Sequence, residues 1–396
     1  MQTPVYLDHH ATTAVDPRVL EAMLPYFGPK FGNAASRTHR FGWEAEKAVE
    51  RARGQVAALI GAQPREIVFT SGATEANNLA LKGVVEASRD RGNHLISMTT
   101  EHRAVLDPIL RLERQGLRVT LLAPDSGGRI DLDQLRDAFR PETVLVSVMA
   151  ANNETGVLQP VDAIGTICGE RGVPFHCDAA QASGKVPVHV EAQQISLLSL
   201  SAHKIYGPKG IGALFLRRRS PRVPLAAQMD GGGHESGFRS GTLNVPAIVG
   251  FGAACEIAAT EMSAESARVS LLRDRLQARL LSELEGVTVN GSCKDRLPGN
   301  LNLRVAAVDA AALLLALPEV ALSTGSACSS ATAGPSHVLL ALGLSAAEAR
   351  SSVRIGLGRF NTGEEVDFSA DRIIEAVRRL RQLSPVAAGS SRRQEP

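Results

Sequence analysis

Lys204 stands where a lysine could act as a covalent catalyst. It lies in the segment SLSAHKIYGPKG, directly after the apolar run LLSLSA, which predicts a buried strand. A lysine that forms a Schiff base needs a rigid position of this kind. The chain has seven lysines against thirty-six arginines, which makes a lysine at a strand end more informative. Lys209 is the local alternative, but its GPKG setting predicts an exposed turn.

Three further polar residues follow other apolar runs. Asp178 ends VPFHCDA, His102 follows HLISM, and Asn153 follows VLVSVMA. A carboxylate at such a position could hold a pyridine nitrogen protonated, with Gln181 bonded to a ring hydroxyl, while His102 could stack on the ring and move protons. Local explanations stay open: a helix cap for Asp178 and Gln181, a solvated side chain for His102, and a structural turn for Asn153.

The segment TSGATEANN could bind a phosphate. It follows the strand-like run EIVFT and opens a helical pattern, which would place Gly72, Ala73 and Thr74 at a helix N-terminus. Free backbone N–H groups and the helix dipole attract an anion there. An ordinary helix cap is the commoner explanation of such a turn taken alone.

Two of the five cysteines could carry thiol chemistry. Cys168, Cys177 and Cys255 lie in apolar patterns that predict small buried side chains. Cys293 in NGSCKD and Cys328 in LSTGSACSSATAGPS lie in loop-like sequence. A thiolate on a moving loop could enter a cleft and then face a partner, and the Ser/Gly/Ala-rich setting favours Cys328 for this role.

Arg354, in SSVRIGLGRF, could bind a carboxylate substrate. A guanidinium offers two parallel N–H donors that match the two oxygens of a carboxylate. With so many arginines in the chain, a structural ion pair is the commoner explanation, and both interpretations stay open.

Seven short apolar runs between residues 66 and 218 would position these side chains. They are EIVFT, HLISM, VTLLAP, VLVSVMA, VPFHCDA, LLSLSA and GALFLRR. Helical patterns separate most of them, which predicts a mainly parallel sheet with ligands beyond the carboxyl ends of its strands. After residue 250, a long helical stretch, strands around LNLRV and SVRIGLG, and a final helix from Asp367 to Leu383 predict a smaller α+β domain.

Size and composition set further limits. The 396 residues predict two or three domains of a soluble protein, and no run approaches the roughly 20 apolar residues of a membrane span. A net charge of +2 gives no reason to expect nucleic acid as a ligand, and the basic run at 217–222 suggests a solvated strand end or a docking edge. The cysteines lack the spacing of zinc sites, and the start lacks a signal-like pattern, which together predict a cytoplasmic protein.

Taken together, ten segments between Tyr6 and about Leu383 resemble the cysteine desulfurases. They are YLDHHATT, FGNAASRTHRFG, FTSGATEANNLA, TEHRAVL, NNETGV, CDAAQASGK, SAHKIYGPKGIG, GGGHESGFRSGTLN, STGSACSSA and SSVRIGLGRF. The resemblance implies the type I, aminotransferase-like α/β fold of class V pyridoxal phosphate (PLP) enzymes, with a smaller α+β domain. It implies a PLP-binding domain over 16–258 and a small domain of 1–15 with 259–385. The small, polar composition of the tail at 386–396 separately predicts disorder.

The resemblance also implies residue roles. Its cofactor site comprises the Schiff-base lysine Lys204, Asp178 at the pyridine nitrogen, Gln181 at the ring hydroxyl, His102 on the ring, Asn153, the phosphate contacts Ala73, Thr74, Ser201 and His203, and Thr242 from the other subunit of a homodimer. Asn153 and Arg354 are implied to bind the carboxylate of L-cysteine, and Cys328 to accept its sulfur as a persulfide. No resident metal is expected, although Cys328 could contact an iron–sulfur cluster during transfer.

The implied reaction makes L-alanine and passes sulfur to an iron–sulfur scaffold protein or another acceptor, such as a tRNA-thiolating enzyme. No direct nucleic-acid or membrane partner is expected. Four other functions stay open on the sequence alone: a selenocysteine lyase, a cysteine lyase that releases pyruvate, a PLP-free persulfide carrier, and an aminotransferase. Dependence on Cys328 would separate the desulfurase from the two lyases, which share its cofactor site.

Overall fold

The computed structural model of the protein describes residues 3–325 and 334–383. Its β-strands are β1 (Val5–Tyr6), β2 (Ile67–Thr70), β3 (His94–Met98), β4 (Arg118–Leu122), β5 (Thr143–Ser147), β6 (Phe175–Asp178), β7 (Leu197–Ser201), β8 (Gly212–Leu216), β9 (Val287–Val289), β10 (Asn300–Val305), β11 (Val320–Ala321) and β12 (Ser352–Gly356). Its α-helices are α1 (Pro17–Met23), α2 (Arg40–Leu59), α3 (Ala73–Ala87), α4 (Arg103–Arg114), α5 (Leu132–Ala138), α6 (Val161–Glu170), α7 (Val245–Glu283), α8 (Ala310–Leu315), α9 (His337–Ala341), α10 (Ala346–Arg350) and α11 (Gly363–Leu383).

The seven apolar runs form one sheet in the order β2-β8-β7-β6-β5-β3-β4. Neighbouring strands are parallel, except that β8 runs antiparallel to β2 and β7. Residues 202–211 join β7 to β8, and this link is shorter than the dozen or so residues that a parallel crossover needs. The predicted seven-stranded, mainly parallel sheet is confirmed.

Helices cover both faces of this sheet, because successive side chains of a strand point to opposite sides. In β7, Leu198 and Leu200 pack into a core shared with α2 and the first part of α7. Leu197 packs on the opposite face with α3 and α4. This burial on both faces explains why the strands read as continuous apolar runs.

A second core gathers the C-terminal elements. Strands β12, β10 and β9 form an antiparallel sheet that packs with α8, α11 and the second part of α7. Val5 and Leu7, from the start of the chain, belong to the same core, and β1 pairs with β11. One continuous helix, α7, therefore contributes to both cores, and the predicted boundary near residue 258 falls inside it.

The last helix begins earlier than the sequence analysis expected. It starts at Gly363 instead of Asp367. Thr362 Oγ1 accepts a hydrogen bond from the N–H of Glu365, and Glu365 Oε2 accepts one from the N–H of Thr362. This reciprocal pair is a capping box, which fixes the first turn. The predicted disordered tail at 386–396 lies outside the described residues.

Helix α7 is long and apolar enough, by length and composition alone, to cross a membrane. This differs from the prediction that no run of the chain approaches the apolar length of a membrane span. Half of its most apolar 18-residue window is buried inside the protein, where the helix packs against α2 and α1. A core helix has this same composition, so the feature is weak evidence for a membrane span.

The basic run after β8 is partly buried. Arg217 Nη2 donates to the carbonyls of Val190 and Ile195, at 3.1 and 2.9 Å. Arg219 forms ion pairs with Glu66 and Glu191. The prediction of a solvated strand end is therefore wrong for Arg217, whose guanidinium satisfies buried carbonyl groups.

Candidate active site

A cavity of about 470 Å³ opens at the carboxyl ends of β6 and β7. Ten of the twelve residues predicted for the site line it: Ala73, Thr74, His102, Asn153, Asp178, Gln181, Ser201, His203, Lys204 and Arg354. Thr242 is exposed and does not line the cavity of its own chain, and Cys328 lies outside the described residues. The parallel strands thus bring side chains from five separate sequence segments together, as the edge of such a sheet does, and Arg354 joins them from β12.

Lys204 ends a short 3₁₀ turn, Ala202–Lys204, that directly follows β7. Its Nζ donates to the carbonyls of His10 and Ala11, at 2.5 and 2.7 Å. Both carbonyls belong to the N-terminal strip, whose residues 10–12 form part of the cavity wall. The ammonium group is therefore held at the cavity by backbone oxygens. Lys209 also lines the cavity but is exposed.

Asp178, the last residue of β6, is fixed at both carboxylate oxygens. Oδ2 accepts from Asn77 Nδ2 at 2.7 Å, and Oδ1 accepts from the N–H of Ala180 at 3.0 Å. Asp178 is buried, so these bonds replace much of its hydration. Gln181 does not complete a capping box with Asp178, because its side chain bonds to His10 instead.

The amide of Gln181 is oriented by two neighbours. Oε1 lies 3.1 Å from His10 Nδ1 and accepts from Lys185 Nζ at 3.3 Å, while Nε2 donates to the His10 carbonyl at 2.9 Å. Burial lowers the pKa of His10 well below its usual value, so this ring is neutral. Its proton is on Nδ1, because the facing atom, Oε1 of Gln181, can only accept a hydrogen bond. One N–H of the Gln181 amide is left as a donor for a ligand.

Helix α3 points its N-terminus at the cavity. Gly72 precedes the helix at φ 153°, and the first helical bond runs from the N–H of Ala76 to the Gly72 carbonyl. The N–H groups of the first turn therefore have no helical acceptor and are available to an anion. The carboxylate of Glu75 is held by Arg239 Nε and by the N–H of Ser71, each at 2.8 Å.

Two histidines at the cavity have defined roles in hydrogen bonding. His102 caps α4, with Nδ1 accepting the N–H of Ala104 at 3.0 Å, so a neutral ring carries its proton on Nε2. His203 Nδ1 lies 3.1 Å from Thr12 Oγ1. Burial, together with the charge of Lys204, lowers the pKa of His203 to about 4, so its ring is neutral at physiological pH.

Arg354 lies in β12 and is 1% exposed. Its Nη1 donates to the carbonyl of Asn153 at 2.9 Å, and its Nη2 forms an ion pair with Asp8 at 2.8 Å. Nε is buried without a partner among the described residues. The structural ion pair considered from sequence is therefore present, and the guanidinium keeps donors that Asp8 and Asn153 do not use.

Sequence reasoning gave no role to Asp8, His10 and Asn77, whose side chains bond to Arg354, Gln181 and Asp178, in that order. Asp8 and His10 lie in the YLDHHATT segment, which was noted as a whole without a role for any residue. Asn77 lies four residues after Ala73 on α3, and this spacing places both on one helix face. The helical spacing was a usable signal for Asn77, whereas no local pattern predicts contacts from the N-terminal strip.

A buried carboxyl also stands next to His102 in the sequence. Glu101 has no exposed surface; its Oε1 accepts the N–H of Met149 at 2.8 Å, and Oε2 has no partner among residues 3–325 and 334–383. Burial raises the pKa of Glu101 well above its usual value, and the nearby charge of Asp178 raises it further. Glu101 therefore takes up a proton on folding at any pH between its unfolded and folded pKa values.

We expect the Glu101→Gln variant to lose less stability than the wild type between pH 5 and pH 8. A raised folded pKa means that stability falls as pH rises above the unfolded value of about 4.3, by up to about 1.4 kcal/mol per pH unit until the folded pKa is reached. Glutamine cannot titrate, so this contribution disappears. Thermal denaturation of both proteins at pH 5 and pH 8 tests this prediction. An equal change in melting temperature for the variant and the wild type would contradict it.

Comparison with known proteins identifies the family. Residues 5–368 match the family model described as aminotransferase class-V. The "Cysteine desulfurase IscS" of Anaeromyxobacter dehalogenans is 58% identical over 386 residues, which cover 98% of this chain and 95% of the relative. The chain belongs to the cysteine desulfurases of the class V aminotransferase family. This fold and family confirm the resemblance predicted from sequence.

Solved structures agree with this assignment. The chain matches a "NIFS-LIKE PROTEIN" with a TM-score of 0.88 and 37% identity, over 94% of this chain and 99% of the other. It matches "SspA in complex with cysteine" with a TM-score of 0.79 and 38% identity, over 90% of this chain and all of the other. The second of these structures is a complex with cysteine.

Enzymes of this family depend on PLP, and the cavity of this desulfurase has a matching set of donors and acceptors. Asp178 offers a carboxylate to a pyridine nitrogen, Gln181 an N–H to a ring hydroxyl, and α3 free N–H groups to a phosphate. Lys204 supplies an amine at the same cavity. Within the two described ranges, no group of three or more His, Cys, Asp or Glu side chains could hold a metal ion.

Proposed function

We infer that this protein is a PLP-dependent cysteine desulfurase that converts L-cysteine to L-alanine and transfers the sulfur to Cys328 as a persulfide. The convergence of Lys204, Asp178 and the N-terminus of α3 on one cavity carries this proposal. The similarity to IscS-type desulfurases over nearly the whole chain supports it. The enzyme would supply sulfur for iron–sulfur cluster assembly, and for tRNA thiolation through a suitable acceptor.

The proposed cofactor contacts follow the geometry of the cavity. Asp178 would hold a proton on the pyridine nitrogen, oriented by its bonds to Asn77 and Ala180. Gln181 would donate its remaining N–H to the ring hydroxyl. The phosphate would be bound by the N–H groups of Ala73 and Thr74 and by the side chains of Ser201 and His203.

Substrate binding is proposed to use the carboxylate of L-cysteine. Arg354 and Asn153 line one cavity wall and are joined by a hydrogen bond, so they can act as a unit. Arg354 has N–H donors beyond those used by Asp8 and the Asn153 carbonyl. Its burial strengthens a bond to a carboxylate, because little water competes for the same donors.

PLP, when bound, withdraws electrons from the α-carbon of the substrate. Lys204 Nζ would take the α-proton of the bound substrate, and the adjacent carbonyls of His10 and Ala11 would orient this amine. His102 would exchange protons through Nε2, because Nδ1 is occupied by the N–H of Ala104.

The sulfur step would use the thiolate of Cys328 as nucleophile. The thiolate attacks the substrate sulfur, and the carbon–sulfur bond breaks. The electron pair of that bond stays with carbon, which takes up a proton and becomes the methyl group of alanine. The sulfur remains on Cys328 as a persulfide, ready for an acceptor thiol or a scaffold-bound cluster.

A homodimer is proposed to complete the phosphate site. Thr242 is exposed and does not line its own cavity, and it lies just before α7. Four large apolar side chains are exposed in the segment that runs from the end of α1 into the start of α2, and both helices pack against α7: Leu24, Phe27, Phe31 and Trp43. An apolar patch of this kind is typical of a subunit interface, where Thr242 could reach the partner's phosphate.

The domain division and the setting are proposals too. Residues 16–258 are proposed as the large domain and the ranges 1–15 and 259–385 as the small one, and the packing of Val5 and Leu7 with the C-terminal core supports this division. Cys168, Cys177, Cys255 and Cys293 are free thiols, which fits a reducing cytoplasm. An iron–sulfur scaffold protein is the proposed acceptor.

Product analysis tests the proposed function. We expect purified protein with PLP, incubated anaerobically with L-cysteine and a reductant, to release alanine and sulfide in equal amounts. The two products must match because each turnover breaks one carbon–sulfur bond. Chromatography of alanine and pyruvate and a colorimetric sulfide assay measure them together. Pyruvate in place of alanine would show a lyase, and amino transfer to a keto acid would show an aminotransferase.

A further inference from the structure

The described residues on either side of the segment that contains Cys328 lie beside one buried carboxyl group. The described chain stops at Gly325 and resumes at Gly334. Glu154 Oε2 accepts a hydrogen bond from Ser336 Oγ at 2.5 Å, and a Cβ placed on Gly325 would lie 3.3 Å from the same oxygen. Glu154 is 1% exposed. The chain therefore passes the same carboxyl oxygen before and after residues 326–333.

The backbone of Glu154 is held from both cores. Its N–H donates to Asn152 Oδ1 at 2.9 Å. Its carbonyl accepts from Asn300 Nδ2 at 3.2 Å and Asn302 Nδ2 at 3.1 Å, and both of these belong to β10 of the smaller sheet. Buried hydrogen bonds on both backbone groups make Glu154 a rigid support.

Further bonds hold the two flanks of the segment. On the far side, Ser336 caps α9 by accepting the N–H of Leu339, and His337 Nε2 lies 3.0 Å from the carbonyl of Glu101. On the near side, the backbone carbonyl of Ser323 accepts the N–H of Arg354 at 2.7 Å, and the N–H of Ser323 donates to the Arg354 carbonyl at 3.3 Å. Both flanks are thus tied to the protein within three residues of the undescribed range.

Apart from the cap of α9, each of these hydrogen bonds is made to a residue that lines the cavity or to its immediate neighbour in the sequence. Glu154 follows Asn153, Glu101 precedes His102, and Arg354 itself lines the cavity. Glu154 and Ser336 are not among the described residues that line it. Their contacts therefore bear on the position of the thiol-bearing segment and not on direct contact with a bound amino acid.

We propose that the Glu154–Ser336 pair positions the segment that carries Cys328, and that it controls the rate of sulfur transfer without contributing to the binding of cysteine. The proposal rests on the proposed desulfurase function. A nucleophile misplaced by about 1 Å loses roughly 100-fold in rate, since reaction requires near-contact geometry. Loss of the pair would slow thiol attack, while the cavity would still bind PLP and cysteine.

The test compares Ser336→Ala with a matched control, Ser345→Ala. Ser345 caps α10 through the N–H of Glu348, so its loss also removes one helix cap, but it does not contact Glu154. For each holoenzyme, the cofactor absorbance change on titration with L-cysteine reports binding, and the rate of alanine release reports turnover. A Glu154→Ala variant removes the same contact from the other partner.

We expect Ser336→Ala and Glu154→Ala to lower the rate of alanine release by about 10-fold or more, by loss of positioning. The half-saturating cysteine concentration should stay within about twofold of wild type, a change of under half a kcal/mol. Ser336→Thr and Glu154→Gln, which keep a hydroxyl and an acceptor, should restore most of the rate, and Ser345→Ala should match wild type. Equal rates in Ser336→Ala and Ser345→Ala would overturn the proposal, as would a parallel loss of binding and turnover. Absence of alanine from the wild type would instead overturn the desulfurase function.

Discussion

Replacing Lys204 with alanine is expected to stop alanine formation. Lys204 Nζ is the amine that the turn after β7 and the carbonyls of His10 and Ala11 hold at the cavity. If it removes the α-proton, its loss costs at least about 100-fold in rate, since a positioned acid or base contributes that much or more. The variant should also lose the visible absorbance that arises from covalent attachment of PLP. Product chromatography and a visible spectrum measure both effects.

Two other lysines near the cavity provide controls for this result. Lys209 lines the cavity but is exposed, and burial lowers the pKa of Lys185 to about 8, which makes it a chemically competent rival amine. Borohydride reduction followed by peptide mass spectrometry should find PLP attached to Lys204 alone. Lys209→Ala should keep its absorbance. Attachment of PLP at Lys185, or full activity of Lys204→Ala, would contradict the proposed role.

The sequence predicted the sheet because its physical signal is local. A strand buried on both faces must be apolar along its length, so each of the seven runs could be recognised alone. Parallel pairing then places all carboxyl ends at one edge, which is why Asp178, Lys204 and Asn153 could be grouped without knowing their distances. The start of α11 was encoded locally too, in the capping pair of Thr362 and Glu365, but the prediction placed it at Asp367.

The contacts that local patterns do not encode were not predicted. Asp8 pairs with Arg354 across 346 positions of sequence, and no periodicity relates two such distant residues. Glu101 lies in the polar stretch TTEHRAV, which favours an exposed carboxylate, yet packing around β3 and β5 buries it completely. Tertiary packing, which overrides local polarity, decides both cases.

These long-range contacts bear directly on the proposed chemistry. The N-terminal strip belongs by its packing to the smaller core, but His10 orients Gln181 and Asp8 pairs with Arg354. The same strip supplies the carbonyls that bind Lys204. The N-terminal strip therefore contacts residues proposed to bind the cofactor, to bind the substrate and to transfer the proton. A movement of one core relative to the other would change these three sets of contacts together.

Replacing Cys328 with alanine is expected to leave cysteine binding intact and to lower sulfide release sharply. Cys328 lies outside the described residues, but the structure excludes three of the other four cysteines as nucleophiles. Burial raises the pKa of Cys168 to about 12 and raises those of Cys177 and Cys255 as well, so these thiols stay protonated at physiological pH. A protonated thiol is a poor nucleophile. Cys293 is exposed and remains as a chemical alternative.

Cys293→Ala is therefore the matched control for Cys328→Ala. Sulfide and alanine release should fall by at least about 100-fold in Cys328→Ala, since a thiol held at the site acts at an effective concentration far above that of a millimolar reductant in solution. The cofactor absorbance change on adding cysteine should persist, because the cavity residues are untouched. Cys293→Ala should match wild type in all three measurements. Sulfide release that survives in Cys328→Ala with pyruvate as co-product would assign the cavity to a lyase, since a lyase needs no thiol acceptor.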